Sequence, residues 1–137
     1  MENEQFYELC WLTRIAAVTA LMWVPYVLDR FMKEGIFGSL KNPQGFKSTP
    51  SAWAIRAKAA HLNAVENLPI IGVLAIVAFL TIPGNSVVGT SVVVYLVSRI
   101  IHYISYTLGI AGVRTLSFLA GFGAQLVIIF QIASHLN

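Results

Sequence analysis

Four apolar stretches, at about 8–32, 52–80, 87–108 and 113–135, leave this 137-residue chain little choice but a bilayer. Each reaches the roughly 20 residues that a helix needs to cross hydrocarbon. The chain is 57% hydrophobic and 11% charged, whereas a soluble domain carries about 25% charged residues. The prediction is one integral membrane domain over 1–137, an all-α four-transmembrane-helix bundle with no separate soluble domain.

The opening MENEQFYEL is acidic and polar, unlike the basic start of a cleavable signal peptide, so the first helix is expected to stay. It carries Trp11 and Trp23, Arg14 near its outer end as a snorkelling anchor, and Pro25 as a point of kinking. The segment Lys33 to Pro50 holds Gly35, Gly38, Pro43, Gly45 and Pro50 and reads as a loop. Lys33, Lys41 and Lys47 outnumber Glu34 there, and Arg56 and Lys58 follow, whereas the TIPGNS connection (Thr81 to Ser86) is uncharged. Positive charge marks the cytoplasmic side. The 33–51 loop is therefore expected in the cytoplasm and both termini opposite, in a membrane read as the bacterial inner membrane.

Composition also removes several classes of function. The single Cys10 excludes an internal disulfide and multi-cysteine metal or redox motifs. His61, His102 and His135 are scattered, without a second carboxylate nearby, and form no standard metal ligand set. The net charge of +3 comes from basic residues spread along the chain, not from the clustered patch that nucleic acid requires.

The segment RAKAAHLNAVENLP (Arg56 to Pro69) carries the most chemistry. On a helix, Arg56, Asn63 and Asn67 share one stripe with Glu66 at its edge. An ionisable group entering hydrocarbon costs about 2.5 to 3.5 kcal/mol on insertion scales and so marks a functional site by default. In the third span Tyr95, Arg99, His102, Tyr103 and Tyr106 fall on one arc of about 100°. The fourth begins with Arg114 and sets Phe118, Gly121 and Gln125 on one face, with Gly121 and Gly123 allowing close helix approach. Together Arg56, Asn63, Glu66, Arg99, Tyr103, Tyr106 and Arg114 are expected to line one basic cavity for a small, multiply charged anion. The competing structural reading pairs Glu66 with Arg99 or Arg114 to hold the bundle together. His61 points away from the Asn63 stripe, which suits a structural hydrogen bond.

The segment AAHLNAVENLP, then RIIHYISY (Arg99 to Tyr106), then Arg114, resembles the MAPEG family, the membrane-associated proteins in eicosanoid and glutathione metabolism. The likeness covers essentially the whole chain in length, span number and motif order. It implies a homotrimer of four-helix protomers that binds glutathione between neighbouring subunits near the cytosolic face. Carried over by position, Asn63, Glu66, Arg99, His102, Tyr103 and Tyr106 would contact glutathione, with Arg56 and Arg30 as further members of the pocket. Arg114 would be catalytic, stabilising the glutathione thiolate.

The chain departs from prostaglandin-synthase-like members in three places. Ala59 stands where those carry an arginine, with Lys58 alongside; Phe118 stands where they carry a tyrosine; and the first loop reads Asn42, Pro43, Gln44, Gly45 without their acidic residue. These differences favour general thiol transfer or peroxide reduction over prostaglandin isomerisation. The expected activity is a glutathione transferase or peroxidase acting on lipophilic electrophiles or lipid hydroperoxides, with membrane lipid as its surroundings. Two rivals are a non-catalytic lipid-binding member of the same family and a small transporter or proton relay using Glu66.

Overall fold

The structure, a computed structural model, describes residues 6–41 and 48–136. The loop residues Asn42, Pro43, Gln44, Gly45 and Lys47 lie outside the described residues. Five helices follow one another: α1 (Tyr7–Leu21), α2 (Val24–Lys41), α3 (Ala52–Thr81), α4 (Ser86–Leu108) and α5 (Ala111–Leu136). Taking α1 and α2 as one stretch, four helical segments are long and apolar enough to cross a membrane.

The first expected helix is not a single rod. It breaks at Met22 and Trp23, and α2 resumes with Pro25 in its first turn, where proline's missing N–H is tolerated. It also runs on past residue 32, because Lys33 to Lys41, expected as loop, is helical apart from a kink at Gly35 (φ 71°). Local partners explain the correction. Ser39 Oγ donates to the Gly35 carbonyl at 2.9 Å, and Arg30 pairs with Glu34 at 3.2 Å. Glu34 also accepts from the Ser48 N–H at 3.2 Å. Asp29 accepts from Ser51 N at 3.0 Å and Ser51 Oγ at 2.6 Å, which ties α2 to the start of α3. These bonds outweigh the turn preference of the glycines.

α4 is the central element: its most extensive contact is with α5, and α3 and α1 pack against it as well. α3 buries Ala54, Ala57, Ala60, Ala64, Ala75 and Ala78, a helically spaced row whose small side chains let backbones come close. Ile15, Ile71, Val88, Val92, Tyr95 and Ile128 fill the middle of the bundle. Its outside is apolar too, with Leu80, Leu116 and Phe130 mostly exposed, as suits a lipid solvent.

Both ends of α4 are fastened. At its start Asn85 Oδ1 accepts from the N–H groups of Val87 (3.0 Å) and Val88 (3.1 Å), satisfying two donors that a helix leaves unpaired. At its end Gly109 adopts φ 81° and its N–H returns to the Tyr106 carbonyl, a left-handed cap open to glycine. Arg56 of α3 donates through Nε to the Thr107 carbonyl at 2.9 Å. The side chains projecting from the second half of α4 therefore start from a fixed backbone.

Candidate functional site

Arg99 sits at the meeting point of α3, α4 and α5 and is 4% exposed. Its Nη1 donates to Asn63 Oδ1 at 3.0 Å, and Nη2 reaches the Phe118 carbonyl at 3.5 Å. The guanidinium carbon lies 5.1 Å from the ring centroids of both Tyr95 and Phe118, within the range of cation–π attraction. Gly121 makes the space: a Cβ there would stand 2.6 Å from Ser98 Oγ and 2.9 Å from Arg99 Nη2. Arg99 Nε is buried and has no hydrogen-bond partner.

A second group lies toward the α4–α5 turn. His102 Nδ1 is 3.0 Å from the Arg114 carbonyl oxygen. A carbonyl only accepts, so this bond requires the proton on Nδ1 and leaves Nε2 of the neutral ring as an acceptor. Nε2 is buried and unpartnered. The Arg114 guanidinium lies over the Tyr106 ring, 4.7 Å from its centroid, while Tyr106 meets the His102 ring edge-on at 5.6 Å. Phe118 touches both groups, since its ring also packs 5.9 Å from His102.

The expected single cavity therefore resolves into two linked clusters, Asn63 with Arg99, and His102 with Tyr106 and Arg114. Other residues expected in it go elsewhere. Arg56 caps α4, and Arg30 is paired with Glu34. The Tyr103 hydroxyl donates to the Met22 carbonyl at 2.9 Å, which turns it toward the α1–α2 break. Glu66 is exposed on the protomer surface one turn from Asn63. The pairing with Arg99 or Arg114 that the competing reading offered does not occur: the ion pairs among the described residues are Arg30–Glu34 and Lys33–Asp29. His61 makes a structural hydrogen bond, with Nδ1 2.9 Å from the Tyr26 hydroxyl.

Two further buried polar residues stand out, one expected on the α5 face and one that escaped the sequence reading. Gln125 of α5 is 4% exposed with an unpartnered Nε2. Glu8 is 1% exposed at the other end of the bundle, away from the basic cavity that was expected. Its signal was present: Glu8, Trp11 and Ile15 share a stripe at i, i+3 and i+7.

What the two clusters present is two cationic donors, Arg99 buried and Arg114 half-buried, in excess over acids. Neither Arg99 nor Arg114 has a carboxylate partner among the described residues, and charge held in a low-dielectric interior calls for an opposite charge. A family model described as the MAPEG family matches residues 9–134. The chain belongs to the MAPEG family. A comparison with curated proteins gives no match. As a MAPEG protein it is an integral, multi-pass membrane protein related to glutathione and eicosanoid metabolism. MAPEG members use glutathione, and the donor set suits that anionic peptide: two guanidinium groups without acid partners, and an Arg99 Nε awaiting an acceptor.

Proposed function

We propose that this MAPEG protein is a glutathione transferase or peroxidase acting on lipophilic electrophiles or lipid hydroperoxides. The observation that carries the reading is the pair of acid-free guanidinium groups, Arg99 and Arg114, linked through Phe118 and His102. Arg99 and Asn63 would hold a carboxylate end of glutathione, since arginine's rigid fork suits carboxylates. Arg114, half-buried against Tyr106, would favour negative charge at the sulfur through a preorganised charge-assisted hydrogen bond. His102 and Tyr106 would orient Arg114, the one through its carbonyl and the other through its ring. Glutathione supplies the nucleophilic and reducing sulfur, because the chain's own Cys10 lies near the start of α1.

Glu66 fits the same proposal from outside the protomer. An exposed carboxylate beside Asn63, on a helix otherwise facing Leu62, Val65 and Ile70, is suited to a site completed by another copy. A homotrimer with glutathione between neighbouring copies would give Glu66 polar company. The basic residues flanking this end favour a cytosolic site, with the bacterial inner membrane as the proposed location.

Purified protein with glutathione and an aryl halide, or a lipid hydroperoxide, tests the activity. Glutathione-dependent turnover is expected, and Arg114→Ala should reduce it about 10²- to 10³-fold. Absence of turnover with both substrates, or turnover indifferent to Arg114→Ala, overturns the proposal. The lipid-binding rival draws on Phe118, whose ring lacks a hydroxyl donor; glutathione titration separates the two, because a pure lipid binder would show no response. The relay reading is not supported, since Glu66 connects to neither arginine.

A further inference from the structure

We propose that the opposite end of the bundle holds a binding site for a primary ammonium, anchored by Glu8. A cavity of about 390 Å³ opens there between the start of α1 and the start of α4, lined in part by Tyr7, Glu8, Asn85, Ser86 and Thr90. It is remote from the arginine clusters: Ser86 and Arg99 are ~20 Å apart along α4 at 1.5 Å per residue.

The case begins with an unmet need. Glu8 is 1% exposed, and its Oε2 has no hydrogen-bond partner. A buried carboxylate without a partner is costly, and no described donor bonds its Oε2: the Trp11 indole N–H one turn on is itself buried and unpartnered, and several others are committed. Asn85 gives one N–H of its amide to Gln131 Oε1 at 3.4 Å. The N–H groups of Val87 and Val88 go to Asn85 Oδ1, and that of Gly89 to the Asn85 carbonyl. The nearest cation along α1, Arg14, stacks on Trp11, 4.2 Å from its ring centroid. Neither ion pair among the described residues involves Glu8. Rotation about the last, two-fold torsion of a glutamate lets either oxygen serve the cavity that Glu8 lines.

The chemistry of the walls then selects the ligand. An anionic acceptor wants a cationic donor, and the hydroxyl and amide oxygens of Ser86, Thr90 and Asn85 suit further N–H groups. Tyr7 adds an aromatic wall, held so close over α4 that a Cβ on Gly89 would stand 2.8 Å from its ring. A divalent metal is less well matched: no group of three His, Cys, Asp or Glu side chains exists among the described residues. The volume falls in the range of about 300–1,000 Å³ usual for small organic ligands. A quaternary ammonium carries no N–H and would leave Oε2 unsatisfied, so the site should prefer a primary amine. Because the cavity lies at helix ends, that amine can come from a phosphatidylethanolamine headgroup or from a small amine in solution.

Native mass spectrometry and thermal unfolding of the full chain, with phosphatidylethanolamine against phosphatidylcholine, test this directly. The ethanolamine lipid should bind about tenfold or more tightly over the choline lipid, as expected for one charge-assisted hydrogen bond. Glu8→Gln should erase that preference. Free ethanolamine that displaces the lipid, or that alone raises the unfolding midpoint, identifies the soluble amine as a source; lipid preference without either effect identifies the headgroup. Equal binding of the two lipids with no response to free ethanolamine overturns the proposal, as does an ethanolamine preference that survives Glu8→Gln. The wild-type comparison stands however Glu8→Gln folds.

Discussion

Adding one methyl group at Gly121 of α5 should disable the Arg99 cluster from behind. The new Cβ would lie 2.6 Å from Ser98 Oγ, 2.9 Å from Arg99 Nη2 and 3.2 Å from Arg99 Nε. Carbon and nitrogen do not approach that closely, so the guanidinium must shift away from α5 or α5 must move outward. Overpacking of this kind costs about 1–3 kcal/mol. The displaced group also strains the 3.0 Å bond to Asn63, and hydrogen bonds to charged groups contribute about 1.5–3 kcal/mol. If Arg99 holds a carboxylate of glutathione, losing one such contact lowers affinity about 10- to 100-fold. Calorimetric titration of glutathione into solubilised Gly121→Ala, with thermal unfolding alongside, measures both effects. Ser98→Ala added to Gly121→Ala is the informative control. It relieves the nearer clash and leaves Arg99 crowded, so the affinity defect should persist in the double variant. Wild-type affinity and midpoint in Gly121→Ala would refute the reasoning, and full rescue by Ser98→Ala would assign the effect to Ser98 instead.

Other expectations follow from single contacts. Tyr26→Phe removes the hydroxyl bonded to His61 and should lower stability by about 0.5–1.5 kcal/mol while leaving glutathione turnover unchanged, as unfolding and rate measurements would show. Gly109→Ala forces a Cβ onto a left-handed cap at φ 81° and should cost about 1 kcal/mol in the unfolding midpoint; unchanged stability would contradict the cap. Glu66→Gln should weaken glutathione binding without lowering the stability of the isolated protomer, because Glu66 has no ion-pair partner within it.

The residues explain which parts of this account were legible beforehand. The last three span positions follow from apolar run length, and Asn63 and Arg99 could be placed in one cavity because both sit centrally on their helical stripes. Stripe edges were less informative. Tyr103 lies at the end of the arc, and there a small rotation decides between α5 and the Met22 carbonyl. Glu66 sits likewise at the edge of the Asn63 stripe and turns outward. The break at Met22 and Trp23 falls in the turn before Pro25, which cannot donate to the Leu21 carbonyl, and so lies where the kink was expected. The extension of α2 to Lys41 rests on bonds to Ser48 and Ser51 across a loop, which no local pattern announces. Glu8 belongs to the acidic, polar opening, which as a composition says nothing of burial, although its spacing to Trp11 and Ile15 places it on the buried stripe.

The central claim is that Arg99 lacks an acid because a ligand brings one. Asn63→Asp tests it most directly, by building a carboxylate where Asn63 Oδ1 now stands 3.0 Å from Arg99 Nη1. Glutathione titration should then show saturable binding to the wild-type protein and about tenfold or weaker binding to the variant, with thermal stability no lower than wild type. Equal glutathione affinity in the two proteins, or no binding to the wild type, would contradict the account.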